Sequence, residues 1–219
     1  FPHYLMHRAE QLENLYIFKN TEGTPENIRK FHPNIIVSST GSAPLLPPIT
    51  GLKDRIDNEN YNIYSILGMI SHINDFPKDL EGKKVVVVGG GAVGLDVVEF
   101  FADRNADISI VEMMDQIGRD LDPVSKNDTK TMMKKHNVHQ LTKTALLEVK
   151  DSSFLVKGDG EPYELPFEYG FVCLGMRAQG QLYQSLTEEF SSEDVEIMNI
   201  GDSQEGRNIL TILEQKGYL

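Results

Sequence analysis

The sequence predicts an α/β fold built on a parallel β-sheet, and three observations support this prediction. Residues 85–88 are four consecutive valines, which is typical of a strand buried on both faces of a sheet. They are followed by a glycine-rich loop, residues 89–94, and by apolar residues at helical spacing. A second apolar strand is predicted at residues 107–111. Strand, loop, helix and strand in this order form a β-α-β unit, which joins neighbouring parallel strands.

The loop of this unit fits the pattern G-x-G-x-x-G through Gly89, Gly91 and Gly94. Gly89 permits the tight turn, Gly91 lets the backbone approach a pyrophosphate because it has no Cβ, and Gly94 lets the next helix pack closely. Ala92 and Val93 begin that helix, whose free N–H groups and positive dipole end favour phosphate. The loop therefore predicts a dinucleotide site. The alternative is a glycine-rich turn that only packs a helix.

An acidic residue ends the second strand of the unit. Glu112 lies 18 residues after Gly94, close to the spacing of about 20 for a carboxylate that binds the adenosine ribose. Such a carboxylate accepts hydrogen bonds from both ribose hydroxyls and repels a 2′-phosphate. We therefore expect NADH to be preferred over NADPH. Met113, the next residue, is included in the predicted cofactor site.

Local patterns predict the remaining elements in chain order. Helices are predicted at residues 3–13, 25–30, 65–73, 92–104, 123–136 and 209–215. Further strands are predicted at residues 15–18, 34–39, 138–141, 171–174 and 196–200. Strand-like patterns at residues 145–150, 154–157 and 163–166 are broken by Gly158-Asp159-Gly160 and predict an antiparallel meander. The proline-rich residues 44–51 exclude a helix or central strand and predict a stiff crossing between two bodies.

Composition narrows the possible functions. The chain has 219 residues, with 33 Asp and Glu against 21 Lys and Arg, so a net charge of −12 argues against nucleic-acid or anionic-membrane partners. No apolar run has the length of a membrane span, and no signal peptide is visible. The single cysteine, Cys173, lies in an apolar run and is predicted to be buried, which leaves no disulfide or cysteine-metal site within this chain. The scattered histidines predict no metal site, and a reducing cytoplasm is the expected compartment.

Several motifs outside the β-α-β unit resemble a known family when taken together. They are Ser39-Thr40-Gly41, the proline-rich crossing, Leu174-Gly175-Met176-Arg177 and Ile200-Gly201-Asp202. With GGGAVG, their order resembles the C-terminal part of flavoproteins that carry two nested dinucleotide-binding domains. Within this superfamily, the sequence most resembles the three-domain, old yellow enzyme-like group of enoate and 2,4-dienoyl-CoA reductases among the NADH:flavin oxidoreductases. The absence of a Cys-x-x-Cys or Cys-x-x-x-x-Cys pair separates the chain from disulfide reductases of that superfamily.

The resemblance implies a Rossmann-like three-layer FAD/NAD(P)-binding domain with an antiparallel β-meander, nested in a partial second dinucleotide-binding domain. Residues 1–50 and 184–219 would belong to the FAD domain, and residues 51–183 would form the NAD(H) domain. The FAD glycine loop, an FMN-bearing (β/α)8 barrel and the cysteines of an iron–sulfur cluster would all lie outside the chain. Because the chain starts at Phe1 rather than at Met, we expect a processed piece or a fragment of a longer protein that is inactive alone.

The resemblance also implies further cofactor contacts. Thr40 and Gly41 would line the junction of the flavin and nicotinamide domains, although Ser39 replaces the usual alanine. Gly201 and Asp202 would approach the flavin, with the carboxylate bonded to a ribityl hydroxyl.

Two further positions concern the nicotinamide. Gly175 and Met176 would approach it, although Ala178-Gln179 stands where the family has Pro-Asn. Asp96 occupies a position where relatives carry glutamate near the nicotinamide, and it is one methylene shorter. The alternative for Asp96 is an exposed helix acid without function.

The function implied by the resemblance is hydride transfer from NADH to a flavin, with no catalytic residue in this chain because the cofactors carry the chemistry. The missing barrel would reduce an enoate or dienoyl C=C bond. Two alternatives stay open. One is a two-domain NADH oxidase or ferredoxin-reductase-like flavoprotein, and the other is a non-catalytic nucleotide-binding or assembly module.

Overall fold

The structure is a computed structural model, and it describes residues 2–205. Within that range the chain divides into two compact units. The first contains the residues up to Gly41 together with Gln179–Gln204, and the second contains Ser42–Ala178. The helix predicted at residues 209–215 lies outside the described residues.

The described elements alternate between helix and strand over most of the chain. The helices are α1 (Pro2–Glu10), α2 (Pro25–Arg29), α3 (Leu52–Arg55), α4 (Ile66–Ser71), α5 (Ala92–Ala102), α6 (Pro123–Lys135) and α7 (Gln181–Glu189). The strands are β1 (Ile35–Ser38), β2 (Ser42–Pro44), β3 (Ile63–Tyr64), β4 (Lys84–Val88), β5 (Asp107–Val111), β6 (His139–Leu141), β7 (Ala145–Val149), β8 (Ser153–Lys157), β9 (Tyr163–Pro166), β10 (Tyr169–Val172), β11 (Met176–Ala178) and β12 (Glu196–Asn199).

The second unit has three layers around a five-stranded parallel sheet in the order β3-β10-β4-β5-β6. Alternate valines of β4 enter two different cores, as side chains on opposite faces of a strand must. Val85 and Val87 pack in a core with residues of α4, α5 and α6, including Phe101. Val86 and Val88 pack in a core with α3 and the antiparallel meander β7-β8-β9. The predicted α/β fold with its meander is confirmed.

A capping side chain followed by a proline begins both α2 and α6. The side chain of Thr24 accepts a hydrogen bond from the backbone N–H of Asn27, and Pro25 begins α2. Asp122 accepts from the N–H groups of Val124 and Ser125 at the start of α6. These bonds lower the pKa of the Asp122 carboxyl, with the hydrogen bonds from Ser125 as the largest cause.

The first unit contains a two-stranded parallel sheet in which β1 pairs with β12. One face of this sheet packs on α2 and α7 through Ile36, Leu186 and Phe190, all of which are buried. The opposite face is also apolar but is exposed to solvent, with exposed fractions of 56% for Ile35 and 48% for Val37. Hydrophobic side chains therefore point in both directions from this sheet, as in a sheet built to be covered on both sides.

Two local predictions are wrong. Residues 15–18 form no strand, and their side chains are exposed, with Tyr16 at 78%. Apolar character alone did not produce a strand there because no partner strand among the described residues pairs with them. No strand is predicted at Met176–Ala178, but these residues form strand β11, because they pair with β2 in antiparallel fashion.

Candidate functional site

The glycine loop follows the carboxyl end of β4, the central strand of the five-stranded sheet. Strand β4 has β10 on one side and β5 on the other, and the chain leaves β4 through α5 to reach β5. The carboxyl end of such a strand opens into the crevice where α/β sheets bind ligands. Gly89, the first loop residue, has φ +110°, and a Cβ on it would overlap the carbonyl oxygen of Cys173. The tight turn predicted for this residue is therefore observed, and only glycine fits it.

The other two motif glycines differ in what surrounds them. A Cβ on Gly94 would overlap the carbonyl oxygen of Gly89, so the start of α5 packs directly on the loop. A Cβ on Gly91 would have no heavy atom within 4 Å other than those of Gly91 and its two chain neighbours. Gly91 is the N-cap of α5, and Ala92 and Val93 are its first helical residues, whose N–H groups have no intrahelical acceptor. The protein thus keeps open space at the positive end of an eleven-residue helix, which fits a pyrophosphate.

The carboxylate of Glu112 lies beside this loop. Its Oε2 accepts a hydrogen bond of 2.7 Å from the backbone N–H of Gly90, and its Oε1 accepts one of 2.7 Å from that of Met114. The Glu112 side chain is half-buried, whereas Met113 has an exposed fraction of 69%. The spacing in the sequence indicates the position of this carboxylate, but it contains no signal for the two backbone bonds.

A second loop reaches the same edge of the sheet. Because β10 is parallel to β4, their carboxyl ends lie together, and the N–H of Cys173 donates to the carbonyl of Val88 at 2.7 Å. Gly175 follows with φ +103° and is exposed, and its carbonyl accepts from the N–H of Leu45. Met176 is half-buried in β11. The structure therefore brings Gly175 to the edge of the sheet that holds the glycine loop.

Asp96 lies on α5, one turn after the glycine loop, and its carboxyl is electrostatically coupled to Cys173. Partial burial raises the pKa of Asp96. Burial, with a smaller contribution from the negative charge of Asp96, raises the pKa of Cys173 to about 12. The prediction that Cys173 is a buried thiol is confirmed. A cleft of about 350 Å³ between α5 and α6 is lined on one side by Ala92, Asp96 and Glu99.

In the first unit, Thr40-Gly41 and Gly201-Asp202 lie at the same edge of the two-stranded sheet, because β1 and β12 are parallel and each strand is followed by one of these segments. After β1, the Thr40 hydroxyl donates to the carbonyl of Gln179 at 2.5 Å, and the N–H of Gln179 donates to the carbonyl of Gly41. After β12, Gly201 has φ +65° and begins a 3-10 turn, Gly201–Ser203, that contains Asp202.

Sequence reasoning missed one polar network beside that turn. The buried hydroxyl of Ser203 donates to Asn199 Oδ1 at 2.7 Å, and Asn199 Nδ2 donates back to the carbonyl of Ser203 at 3.0 Å. The network closes the turn onto the end of β12 and so fixes the direction of the backbone at Asp202. Serine and asparagine near a turn are too common for the sequence to signal such a pair.

Residues 2–205 contain no group of three or more His, Cys, Asp and Glu side chains that could hold a metal ion. None of the helices in this range is long and apolar enough to cross a membrane.

Comparison with protein families matches residues 13–198 to the pyridine nucleotide-disulphide oxidoreductases. The chain belongs to this family. Membership implies an oxidoreductase domain that binds FAD and NAD(P)H. The second unit has features that suit a nucleotide: the open space at Gly91 and the Glu112 carboxylate, which accepts a hydrogen bond from the glycine loop.

Three known proteins illustrate the relationship. The chain is 26% identical to a metal reductase of Desulforamulus reducens over 97% of this chain and 34% of that protein. It is 27% identical to an NADH oxidase of Thermoanaerobacter brockii over 88% of this chain and 25% of that protein. A solved structure, the complex of 2-naphthoyl-CoA reductase with 2-naphthoyl-CoA, has the same fold with a TM-score of 0.74 and 22% identity, and the match covers 94% of this chain and 29% of that one. The chain thus spans about a third or less of the length of these relatives.

Proposed function

We propose that this chain holds NADH in its second unit and presents it to a flavin, as one portion of a larger flavin-dependent oxidoreductase. The observation that carries the proposal is the position of the Glu112 carboxylate, which bonds the glycine loop whose Gly91 leaves open space at the start of α5. A pyrophosphate and a ribose diol are the adjacent groups of a dinucleotide, and the two features match them in chemistry. When bound, NADH supplies the hydride and the flavin accepts it.

NADH rather than NADPH is the proposed nucleotide. A ribose with two free hydroxyls can donate two hydrogen bonds to the Glu112 carboxylate, whereas a 2′-phosphate would bring negative charge beside it. The match to an NADH oxidase also favours this choice. The proposed contacts to NADH also include Gly89, Gly91 and Gly94 of the glycine loop, together with Met113.

The first unit is proposed as part of an FAD-binding domain. Its motifs Thr40-Gly41 and Gly201-Asp202 would contact the flavin, and the second unit would be the NAD(H) domain nested within it. The sequence holds a single G-x-G-x-x-G loop, in the second unit, so an FAD pyrophosphate needs a loop from outside these residues. The exposed apolar face bearing Ile35 and Val37 is consistent with a sheet that more polypeptide completes.

The reaction of the whole protein is the next part of the proposal. We propose reduction of an enoate or dienoyl-type C=C bond in an upstream FMN-bearing barrel with an iron–sulfur cluster, in the cytoplasm. The resemblance described above supports this, as does the shared fold with a reductase that was solved with an aryl-CoA ligand. The second candidate is a two-domain NADH oxidase without a barrel, which the match to an NADH oxidase favours.

Fluorescence titration of the purified 219-residue chain with NADH, NADPH and FAD tests the proposal. We expect saturable binding of NADH and weaker binding of NADPH. FAD should also bind more weakly than NADH, because the proposed NADH site has its glycine loop and the proposed FAD site has none in this sequence. The preparation should be colourless and unable to reduce an enoate with NADH. Absence of saturable NADH binding would favour an assembly module, and a yellow preparation with stoichiometric FAD would favour a self-sufficient flavoprotein.

A further inference from the structure

Glu112 makes contacts that a residue serving only the ribose would not need. Its two carboxylate oxygens accept hydrogen bonds from two different segments: Gly90 in the glycine loop and Met114 in the segment after β5. Both bonds are 2.7 Å, within the range of charge-assisted hydrogen bonds. We propose that Glu112 is also a positioning residue, whose carboxylate locks the glycine loop to residues 113–118 before any nucleotide binds. This inference rests on the proposed function only for its consequence for NADH.

Backbone bonds complete the same connection from the other side. The N–H of Gly118 donates to the carbonyl of Gly90 at 2.7 Å, so both polar groups of Gly90 bond to the polypeptide that follows β5. The carbonyl of Met114 in turn accepts from the N–H of Lys143, after β6, at 2.9 Å. Gly90 is therefore held between the side chain of Glu112 and the backbone of Gly118, and its position depends on both.

Packing at Gly90 leaves little freedom for this carboxylate. A Cβ on Gly90 would lie 3.0 Å from Glu112 Oε2 and 3.1 Å from Ile117 Cγ1. The Glu112 side chain thus fills the space next to Gly90 and cannot turn toward it further. Its orientation is set by protein atoms and does not await a ligand.

This orientation has a consequence for nucleotide binding. A carboxylate has about four lone-pair positions, and the two backbone bonds use one on each oxygen. Each oxygen can still accept one hydroxyl of a ribose diol. NADH can then bind without breaking the bonds to Gly90 and Met114, so no loop has to be ordered at the moment of binding.

Amide hydrogen exchange of the nucleotide-free chain, measured by NMR, tests the positioning role. In Glu112→Gln, one oxygen becomes an NH₂ group, so at most one of the two backbone N–H groups keeps its acceptor. We expect exchange at Gly90 or Met114 to accelerate by about tenfold or more, and in Glu112→Ala we expect both to accelerate. The amide of Gly118 should accelerate as well, because Gly90 carries its acceptor.

Gly91→Ala is the matched control in the same loop. Its new methyl would meet no protein atom within 4 Å beyond its own residue and its two chain neighbours, so amide exchange at Gly90 and Met114 should stay at the wild-type rate while NADH affinity falls. Wild-type exchange at both amides in Glu112→Gln and Glu112→Ala would overturn the proposal and leave the carboxylate as a ligand contact only. If Glu112→Ala does not fold, the isosteric Glu112→Gln variant decides the question alone.

Adding NADH to the wild-type chain separates this inference from the proposed function. We expect slow exchange at Gly90 and Met114 to persist or slow further in the complex. Faster exchange on binding would mean that the diol displaces the backbone bonds, which contradicts the inference. If Glu112→Gln accelerates exchange at Gly90 or Met114 but the wild-type chain binds no NADH, the positioning role of Glu112 stands and the nucleotide assignment is wrong.

Discussion

Both units pack helices on a parallel sheet, but they bury the strands of that sheet to different extents. In the second unit, β4 has a strand on each side and all four valines are buried. In the first unit, β1 has β12 beside it, and only alternate residues are buried, with Ile36 at 7% exposed and Ile35 at 56%. Sheets of this kind are normally covered on both faces, and two strands alone are marginally stable. The comparison shows that strand number and coverage, rather than local pattern, determine which unit has a complete core.

The largest expected effect is the loss of stability caused by a substitution in the core of the second unit. Phe101 is fully buried and contacts Phe76 and Phe171 edge-on or tilted, with ring centroids 5.2 and 4.8 Å apart. Phe101→Ala should lower the free energy of unfolding by about 3–5 kcal/mol, because it removes a large apolar side chain and leaves a cavity. Urea unfolding followed by circular dichroism measures this loss.

Phe31→Ala in the first unit is the control for that measurement. Phe31 is 63% exposed and contacts Phe18, so its removal should change the free energy of unfolding by no more than about 0.5 kcal/mol. Similar losses in the two variants would show that burial in the second unit does not carry the stability assigned to it.

The next prediction compares the rates of amide exchange in the two sheets. Backbone amides of β4 should exchange with solvent about 100-fold more slowly than those of β1, because β4 bonds to strands on both sides and β1 to one. Hydrogen exchange with mass spectrometry on peptides from each strand tests this. Equal protection in the isolated chain would mean that the first unit is as complete as the second.

One added methyl group in the glycine loop of the second unit should weaken nucleotide binding. Gly91→Ala should weaken NADH affinity by about tenfold or more, because the methyl enters the space that the pyrophosphate must occupy. Folding should be unaffected, since the methyl would meet no atom within 4 Å beyond its own residue and its two chain neighbours. Gly160→Ala, in the meander turn and equally free of neighbours, should change neither folding nor affinity. Unchanged NADH affinity in a folded Gly91→Ala protein would place the nucleotide elsewhere.

Thiol reactivity reports on the second unit alone, because Cys173 is the only cysteine in the sequence. With the pKa raised to about 12, the thiol stays protonated at pH 8 and should react with a disulfide reagent at least about 100-fold more slowly than in the unfolded chain. Asp96→Asn should lower this pKa by removing a nearby negative charge. Rapid reaction in the native protein would show that the second unit opens at this strand.

The same thiol gives a pH dependence whose sign follows from the raised pKa. Above its ordinary value of 9.0 the thiol ionises in the unfolded chain but stays protonated in the native one. The native state then binds more protons, so the free energy of unfolding falls as the pH rises from about 9 to about 12. Cys173→Ser should remove this contribution, and urea unfolding at pH 8 and pH 10 measures it.

Much of the second unit could be predicted because its signals are local. The valine run, the glycine spacing and the Asp122-Pro123 pair each act within a few residues, and strand β5 lies at the predicted residues 107–111. Local patterns failed where pairing over a long sequence distance decides the outcome. Residues 15–18 look like a strand but have no strand partner among the described residues, and Met176–Ala178 became a strand because Ser42–Pro44 lies beside it.

The sequence by itself determined the β-α-β unit, the place of Glu112 at the end of its second strand and the single thiol of Cys173. Only the tertiary structure decided that β10, far along the chain, lies next to β4, and that Glu112 bonds Gly90 and Met114. The physical reason is that capping, helical periodicity and tight turns depend on neighbours in the chain. Strand order and carboxylate orientation depend on backbone groups that folding brings together from distant positions.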